Sequence, residues 1–471
     1  MIANLQPYPE YKESGVPWLG QIPARWDVRR MKLLLREVDA RSSTGKEQLL
    51  RVSQYTGVTQ RKAIDGSDSP NTRASSLVGY KRVTPHDLVI NIMLAWNGSM
   101  GVSRYDGIAS PAYCVYRFKD GARPWYYHEL LRLPLYKGRI KTASTGVVES
   151  RLRLYSDDLG RIEAIQPPTE DQDAIVRFID YANGRLERAI RAKRKVIALL
   201  HEQKQAIIHR AVTRGLDPTV PLKPSSIPWV GDIPAHWRTN RLKALVTEAV
   251  AGPYGSSLTK AMYVQQGYRV YGQQQVIPDD FKTGDYYISP EKFSEMRRYQ
   301  VYADDVLVSV MGTVGRVAVV PADAEPGIIN PRLVRYRPDF TRVRPRFLQL
   351  AMQSSPSRVQ LLEASKGTTM DGLNMAILGR LVVAVPPLSE QDSILASIQT
   401  GTSPLATAIA RFEREISLLR EYRTRLVADV VTGKLDVRPA VRQLPSEPIA
   451  PEPDTELVEE TEDAVEIEVE A

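Results

Sequence analysis

The sequence is poor in the residues that form covalent or metal-bound cross-links. Its 471 residues include one cysteine, Cys114, and five histidines, so the pattern predicts no intramolecular disulfide and no cysteine metal cluster. A single cysteine is typical of the reducing cytoplasm, where we expect this protein. The first thirty residues lack the apolar segment of a signal peptide, and no run reaches 18 consecutive apolar residues. We therefore expect a protein that is neither exported by a standard signal nor membrane-spanning.

Signatures of catalysis are also scarce. The chain has no Gly-x-x-x-x-Gly-Lys phosphate loop, no zinc-ligand spacing and no His-Glu-x-x-His. Residues 110–113 (Ser-Pro-Ala-Tyr) partly match the Asn-Pro-Pro-Tyr of adenine methyltransferases, but the Asn and a Gly-rich cofactor loop are missing. Pro278-Asp279 and Glu291-Lys292 partly match a metal nuclease, but the Glu-x-Lys spacing fails. We predict a chain without an active site, cofactor or metal, with a degenerate nuclease or methyltransferase as the alternative.

Charge is distributed unevenly along the chain. The composition, 43% hydrophobic and 25% charged, is typical of a globular protein of two to four domains. Residues 443–471 contain eleven Asp or Glu and no Lys or Arg, and we predict that this tail is disordered. Residues 1–442 then carry 63 basic and 44 acidic groups, a net charge of +19. Such a charge favours a nucleic-acid partner, although a merely basic globular protein would share it.

An internal repeat defines the architecture. The 21 residues Ser14–Leu34 recur 211 positions later as Ser225–Leu245, with eleven identities. A second pair of segments, which each contain Pro-Pro followed by Gln-Asp and Ile, begins at Pro167 and at Pro386. Duplication of half-chains predicts two like modules that face each other about a pseudo-twofold axis. This symmetry would place the first motif near the end of the second long helix, close to Leu435, so the chain termini should be neighbours.

Each half-chain ends in a long helical pattern. After a short helix and a break at Asn183-Gly184, the first runs from Arg185 to Thr213; after a break at 401–404, the second runs from Leu405 to Thr432. Both have apolar residues at heptad positions a and d, which predicts that the helices pair antiparallel, although each could instead pack on its own domain. The seam residues that we expect between the helices are Ile190, Ile197, Leu200, Ile207, Ile409, Phe412, Ile416, Leu419 and Leu426.

Between the helices lie two variable regions, Arg25–Gln166 and His236–Val385, which are rich in short β-type runs such as residues 87–90 and 305–308. Gln273–Gln275 follow a strand-like run, and we predict an extended triplet whose amides could contact an adenine edge. Polar and basic loops elsewhere could contact bases or phosphates. The candidate DNA-binding residues are Gln54, Tyr55, Arg61, Lys62, Asn97, Ser144, Thr145, Arg151, Tyr254, Ser256, Ser257, Lys260, Gln273, Gln274, Gln275, Arg316, Lys366, Thr368 and Thr369.

Together these motifs resemble the specificity (S) subunits of type I restriction-modification systems. The resemblance rests on two Pro-Trp-x-Gly-x-Ile-Pro-Ala-x-Trp motifs (17–26 and 228–237), two Pro-Pro-x-x-x-Gln segments before long helices, and two divergent regions between them. It covers Ser14 to about Arg438. The first helix-entry segment departs from the family pattern, with Thr169-Glu170-Asp171 where the second has Leu388-Ser389-Glu390. The acidic tail lies outside that pattern.

The resemblance implies an α+β fold with two target-recognition domains separated by a pair of long antiparallel coiled-coil-like helices. It further implies that each domain recognises half of a split asymmetric site on double-stranded DNA. Two methyltransferase subunits, and through them restriction subunits, would be the partners; S-adenosylmethionine, ATP and Mg would bind to those partners. A coiled-coil scaffold that binds only proteins is a further alternative. The boundaries we expect are an N-terminal segment (1–24), the first recognition domain (25–166), a helical spacer (167–217), a linker (218–235), the second recognition domain (236–385), a second spacer (386–437) and the acidic tail (438–471).

Overall fold

A computed structural model describes residues 5–61, 74, 76–148, 151–225, 230–310, 315–365 and 373–445. The first half-chain contains twelve named strands and ends in a helix of 46 residues. In chain order its elements are β1 (Tyr11–Glu13), β2 (Gln21–Pro23), β3 (Asp27–Arg30), α1 (Met31–Leu34), β4 (Leu35–Glu37), β5 (Leu50–Ser53), β6 (Gly57–Gln60), β7 (Lys81–Val83), β8 (Leu88–Asn91), β9 (Met100–Val102), β10 (Gly107–Ala109), β11 (Tyr113–Phe118), α2 (Pro124–Arg132), α3 (Pro134–Ala143), α4 (Ser156–Arg161), β12 (Glu163–Gln166) and α5 (Thr169–Arg214).

The second half-chain repeats the plan with its own insertions. Its elements are β13 (Leu222–Pro224), β14 (Asp232–Pro234), β15 (Arg238–Arg241), β16 (Val246–Ala251), β17 (Tyr268–Tyr271), α6 (Gln273–Val276), β18 (Tyr287–Ile288), α7 (Pro290–Glu295), β19 (Val306–Ser309), β20 (Val317–Val319), β21 (Gly327–Ile329), β22 (Leu333–Pro338), α8 (Pro345–Gln353), α9 (Ser355–Ser365), α10 (Met375–Arg380), β23 (Val382–Val385), α11 (Leu388–Val431) and α12 (Arg438–Val441).

The chain forms two compact units. Unit 1 consists of residues 1–193 and 414–471, and unit 2 consists of residues 194–413. Each unit therefore contains one variable region, the beginning of one long helix and the end of the other. Unit 1 combines the start of α5 with the end of α11, and unit 2 combines the end of α5 with the start of α11. The polypeptide thus contributes two separate stretches to unit 1.

The central sheets of the two units have the same topology. Each is a four-stranded antiparallel sheet, in the order β4-β11-β8-β9 in unit 1 and β16-β22-β19-β20 in unit 2. A two-stranded sheet accompanies each one, β3 with β12 and β15 with β23. The third strand of each four-stranded sheet, β8 in unit 1 and β19 in unit 2, is buried along its whole length. Strands buried on both faces are continuous apolar runs, which is why residues 87–90 and 305–308 could be recognised in the sequence.

The long helices contribute to the core of each unit. In unit 1, Phe178 of α5 and Val430 of α11 belong to one cluster with the buried residues of α2. In unit 2, Val212 of α5 and Ile394 of α11 belong to one cluster with the buried residues of α8. Burial of this apolar surface is the main favourable term that holds the helix ends on the sheets.

The predicted interruptions of the helices are wrong, because α5 and α11 are continuous through both positions. Gly184 is buried within α5, where a glycine costs about 1 kcal/mol relative to alanine. Pro404 is an exposed residue within α11, where an interior proline costs about 3 kcal/mol. Buried residues on either side of each position, such as Ala182 with Leu186 and Ile398 with Ile409, offset these costs.

The prediction of an α+β fold with two sheet-containing domains and two long helices is confirmed. No helix in the described ranges combines the length and the apolar composition needed to cross a membrane.

Candidate nucleic-acid interface

In both units the repeated motifs bring a tryptophan against a carboxylate at the start of a long helix. We call this contact the clamp; it consists of Trp26 with Asp171 in unit 1 and Trp237 with Glu390 in unit 2. In unit 1 the indole Nε1 of Trp26 donates to Asp171 Oδ2 at 2.9 Å; in unit 2 Trp237 Nε1 donates to Glu390 Oε1 at 3.0 Å. Both tryptophans are fully buried, and both carboxylates lie in the first turn of a long helix. A carboxylate there accepts the indole proton and also interacts favourably with the positive end of the helix dipole. The departure from the family pattern at position 171 therefore preserves the contact with a shorter acid.

Each clamp also receives the end of the other long helix. Gly433 follows α11 with a φ of +78°, and a Cβ there would lie 2.6 Å from Trp26 and Pro23. Gly215 follows α5 with a φ of +72°, and its Cβ would lie 3.3 Å from Trp237. Glycine is favoured at both positions because they combine left-handed backbone with close packing. In each unit, therefore, the end of one long helix meets the beginning of the other, as an antiparallel pair requires.

The termini of the described chain are neighbours within unit 1. The hydroxyl of Tyr11 donates to the Gly433 carbonyl at 3.2 Å, and the Asp436 amide donates to the Gln6 carbonyl at 2.8 Å. The prediction that the first motif lies at the end of the second long helix is confirmed.

The repeated glutamines attach the long helices to α2 and α8. Gln172 Oε1 accepts the Arg123 amide proton at 2.8 Å, and Gln391 Oε1 accepts the Arg344 amide proton at 2.8 Å. Both glutamine side chains are fully buried and donate to backbone carbonyls through Nε2. The aspartate that follows each one forms an ion pair with the same arginine. The Gln-Asp repeat is thus structural, because it satisfies the amide of the N-cap residue of a helix that supports the variable loops.

Contacts between the helices have one antiparallel register. In unit 1, Lys193 pairs with Glu415 and Arg423 pairs with Glu187. In unit 2, a Cβ on Gly401 would lie 3.6 Å from Ile207. For each of these three pairs, the residue number in α5 and the residue number in α11 add to about 608, so the pairs share one register. Buried residues of the predicted seam are Ile190, Ile409, Ile416 and Leu426; half-buried ones are Ile197, Leu200, Ile207, Phe412 and Leu419.

Gln54 and Tyr55 lie in the turn between β5 and β6 of unit 1. The Tyr55 ring is 63% exposed, whereas Gln54 is half-buried. Arg132, the last residue of α2, holds this turn by donating to the carbonyls of Gln54 at 3.0 Å and Tyr55 at 2.8 Å. The same guanidinium also donates to the carbonyl of Met100 at 2.7 Å. A charged group that bonds several carbonyls is an effective way to fix a loop, so Tyr55 is presented on a rigid support.

A second loop of unit 1 lies against α3. Asn97 is half-buried, and its Oδ1 accepts the amide and hydroxyl protons of Ser99. Lys137 of α3 packs over Gly98, and the ammonium of Lys141 lies 5.5 Å from the centre of the Trp96 ring. Two lysines and an indole beside one loop form the mixture of cation and aromatic surface that nucleic acids bind.

The loop after α3 continues this surface. The hydroxyl of Ser144 donates to the Ile140 carbonyl at 2.8 Å, so it completes the end of the helix. Thr145 is exposed, and its backbone pairs with that of Arg153. Arg151 is also exposed. Arg61, at the end of the β5–β6 hairpin, is half-buried and its amide donates to Leu49.

His128 stabilises the same end of unit 1. Its Nδ1 accepts the amide proton of Val102 at 3.0 Å, which requires an unprotonated nitrogen. Burial, assisted by the charges of Arg132 and Arg104, lowers the pKa of His128 to about 3. The imidazole is therefore neutral at physiological pH and serves as a hydrogen-bond acceptor for β9.

In unit 2 the prediction of an extended glutamine triplet is wrong, because residues 273–276 form one helical turn, α6. Gln275 is fully buried; its Oε1 accepts the Gly272 amide proton at 2.7 Å and its Nε2 donates to the Thr283 carbonyl at 2.7 Å. Both the oxygen and the nitrogen of the side-chain amide thus bond within unit 2, and the buried Gln275 is unavailable for a base contact. The alternation of side chains along an extended strand could not predict this turn, because Gln275 stabilises it by accepting a hydrogen bond from the N-cap residue, Gly272.

Gln273 and Gln274 differ in their surroundings. Gln273 is half-buried; its Nε2 donates to Ser309 Oγ at 2.9 Å, and its Oε1 accepts from Arg332 Nη1 at 3.3 Å. Gln274 is exposed, with its amide against Gly284. The turn of Gln54 and Tyr55 follows β5 as α6 follows β17, so the two sets of candidate residues occupy equivalent places in the repeated topology.

The other candidate residues of unit 2 lie in loops near the same strands. Tyr254 is 68% exposed in the loop that follows β16, and the backbone of Gly252 at the start of that loop packs against Asn330. Four further candidates in unit 2 are exposed: Ser256, Ser257, Lys260 and Arg316. Lys62, Lys366, Thr368, Thr369 and the Pro228-Trp229 dipeptide lie outside the described residues, as does the tail from residue 446.

Two arginines beside the candidate loops, Arg132 and Arg332, are not among the residues predicted from the sequence. Arg132 fixes the turn at Tyr55, and Arg332 extends from the turn before β22. Alignment of the repeats could have revealed Arg332, because residues 330–332 match residues 110–112 around a shared proline. Within the described ranges no cluster of His, Cys, Asp and Glu is suited to a metal ion. The arrangement of exposed amides, hydroxyls and cations is chemically suited to binding a polyanion.

The chain is similar to known proteins of type I restriction-modification systems. No family model matches the chain. The type I restriction enzyme EcoBI specificity subunit of Escherichia coli is 22% identical over 354 residues, which cover 72% of this chain and 71% of the relative. A chain from a structure on complex assembly and conformational transition of the type I R-M system has a TM-score of 0.63 at 16% identity, covering 88% of this chain and 99% of that one. The HsdS subunit of Thermoanaerobacter tengcongensis gives a TM-score of 0.44 at 18% identity, covering 88% and 98%. The resemblance to type I specificity subunits that the motifs predicted is confirmed.

Proposed function

We propose that this chain is the specificity subunit of a type I restriction-modification complex and that it recognises a bipartite, asymmetric DNA sequence. One observation carries the proposal: the bond between a buried tryptophan and a carboxylate at the start of a long helix recurs in both units, whereas the loops after equivalent strands differ between the units. A shared scaffold with different exposed side chains is what recognition of two different half-sites requires. The similarity to the Escherichia coli subunit is independent support.

DNA would be bound by the loops that follow β5, β8 and α3 in unit 1 and by those that follow β16, β17 and β19 in unit 2. The net charge of +19 on residues 1–442 would supply the sequence-independent attraction to phosphates. Half-site recognition would then depend on side chains such as the exposed Tyr55 and Gln274 and the half-buried Asn97. Arg61, Arg151, Lys260 and Arg316 would contact phosphate or guanine, and the undescribed Lys62, Lys366, Thr368 and Thr369 remain candidates beside them.

The paired helices would set the number of base pairs between the half-sites. α5 contains 46 residues, which correspond to about 69 Å of helix at about 1.5 Å per residue. The exposed faces of the two helices would bind two methyltransferase subunits and, through them, the restriction subunits. S-adenosylmethionine, ATP and Mg would be bound by those partners, and this chain would contribute specificity without an active site.

Adenine methylation mapped across the host genome tests the proposal directly. The expected result is one split motif that disappears when the gene for this chain is deleted and returns when the chain is supplied again. Methylation that is unchanged by deletion would contradict it. Purified chain that binds DNA without sequence preference would favour the scaffold, and chain that cleaves or methylates DNA alone with Mg²⁺ and S-adenosylmethionine would favour the degenerate enzyme.

A further inference from the structure

The turn before β22 contains an arginine, Arg332, whose side chain is exposed although its backbone and guanidinium are held by hydrogen bonds. Asn330, Pro331 and Arg332 connect β21 to β22, and the Arg332 side chain is exposed. The Asn330 Oδ1 accepts the Arg332 amide proton at 2.9 Å, and the Arg332 carbonyl accepts the Val310 amide proton at 3.1 Å. Both backbone groups of this residue are therefore fixed by neighbours in the turn and after β19.

The guanidinium is also positioned. Its Nη1 donates to Gln273 Oε1 at 3.3 Å, and Gln273 in turn donates to the fully buried Ser309 at 2.9 Å. This chain of hydrogen bonds joins α6, the last residue of β19 and the turn after β21. A side chain held in this way loses less conformational entropy when it binds than a free arginine does.

No carboxylate forms an ion pair with Arg332 in the described part of unit 2, in contrast to the two arginines of β22 that follow it. Arg335 and Arg337 form ion pairs with Asp305 and Glu248, with distances between 2.8 and 3.3 Å. Those pairs hold β22 in the sheet and are structural. An arginine has five donors and no acceptor, so the exposed guanidinium of Arg332 has further N–H groups with which it can bond an acceptor on a ligand.

The first unit has the same turn without the arginine. Ser110, Pro111 and Ala112 precede β11 as residues 330–332 precede β22, and the Ser110 hydroxyl oxygen accepts the Ala112 amide proton at 3.3 Å. Ala112 is exposed like Arg332. The turn is thus a common scaffold whose third position carries a long cation in one unit and a methyl group in the other.

We infer that Arg332 recognises a guanine in the second half-site and that Gln273 positions it. A planar guanidinium binds the O6 and N7 atoms of guanine through two parallel hydrogen bonds, which is the commonest specific contact of arginine in the major groove. This inference rests on the proposed function. It adds that the two half-sites are read asymmetrically at this turn, because Ala112 cannot make such a contact.

The test uses the full chain in complex with its methyltransferase subunits and a library of duplexes randomised in the second half-site. The wild-type complex should select one guanine that Arg332→Ala no longer selects, with about a 5- to 150-fold loss of affinity for duplexes that contain it. Arg332→Lys keeps the charge but not the planar pair of donors, and it should lose the same preference. Gln273→Ala should weaken that preference, whereas Arg342→Ala, which removes an exposed arginine that pairs with Asp339 before α8, should leave it intact.

Several results would overturn the inference. Equal loss of affinity on every sequence would make Arg332 a phosphate contact. A preference retained in full by Arg332→Lys would contradict the contact through two parallel hydrogen bonds. An unchanged selected sequence with Arg332→Ala would place the guanine contact elsewhere, while the proposed function would stand. A wild-type complex that selects no sequence at all would instead contradict the proposed function. Thermal melting of each variant, which should match that of the wild type, separates these outcomes from misfolding.

Discussion

Helix α2 of unit 1 and helix α8 of unit 2 are both nine residues long, begin with proline and end at equivalent positions, yet they fix different structures. The terminal Arg132 bonds the carbonyls of the Tyr55 turn, whereas the terminal Gln353 donates to the carbonyl of Val317 at 2.7 Å. At their other ends the two helices are alike, because Gln172 and Gln391 accept hydrogen bonds of the same length from the amides of their N-cap residues. Similarity is thus concentrated on the side of the long helices, and difference on the side of the loops.

This contrast indicates which parts of each unit maintain the assembly and which parts are free to vary. The clamp joins the ends of the long helices through fully buried tryptophans, where small changes in volume or hydrogen bonding are costly. The loops are fixed by long polar side chains that can be exchanged without altering the sheet. Changing the helices should therefore alter the separation of the half-sites, and changing the loops should alter their sequences.

Shortening the helices should have the largest effect. The observed register opposes residues 197–203 of α5 to residues 405–411 of α11, because opposed numbers add to about 608. Removal of both heptads should shorten the pair by about 10 Å at about 1.5 Å per residue. We expect methylation of the native site to be lost and a site with about three fewer base pairs in its gap to appear, at about 3.4 Å per pair. Co-purification with the methyltransferase subunits is the control, and altered half-site sequences with an unchanged gap would contradict the prediction.

The two clamps should differ in their sensitivity to loss of the carboxylate. Each carboxylate has a second partner, Arg25 for Asp171 and His236 for Glu390, but the Asp171 side chain is 1% exposed and the Glu390 side chain is 26% exposed. Asp171→Ala leaves the buried Trp26 N–H without a partner and should lower the free energy of unfolding by about 3 kcal/mol, whereas Glu390→Ala should lower it by about 1 kcal/mol. Urea denaturation of both variants measures this difference, and equal losses would show that the clamps are energetically alike.

Much of this comparison could be predicted from sequence. The repeat located the clamps and the neighbouring termini, because residues such as Trp26 and Trp237 recur with their surroundings. The helical breaks were wrong because local penalties at Gly184 and Pro404 are smaller than the stabilisation from tertiary packing. The conformation of Gln275 was also inaccessible, since its partners Gly272 and Thr283 surround a turn whose geometry is set by the neighbouring strands.

Acid should destabilise unit 1 before unit 2. His128 of α2 has a pKa of about 3 in the folded chain and about 6.5 when unfolded, and its counterpart in α8 is Gln349, which does not titrate. Between these values the unfolded chain binds more protons, so stability that is complete above about pH 6.5 is lost as the pH falls. At pH 5 the loss should be about 2 kcal/mol at 1.36 kcal/mol per pH unit. Hydrogen exchange of unit 1 peptides should report it, and His128→Gln should abolish the difference between units.

Replacement of Lys260 should have the smallest effect, a loss of DNA affinity that does not depend on sequence. It is exposed in the loop region after β16, and we expect it to contact phosphate. Lys260→Ala should weaken binding to all sequences alike and lower the slope of log affinity against log salt by about 1. Titrations at several salt concentrations, with native and scrambled duplexes, measure both quantities; a loss confined to the native site would identify Lys260 as a base contact instead.

The most direct test of the central claim, that each unit recognises one half-site, is a chain in which residues 236–385 are replaced by a second copy of residues 25–166. The clamps should still form, because Trp26 and Trp237 occupy the same environment in the repeat. With the methyltransferase subunits present, mapping of methylated adenines should then give sites that contain the first half-site sequence twice and no longer contain the second. Retention of the original asymmetric site by this chain would contradict the account.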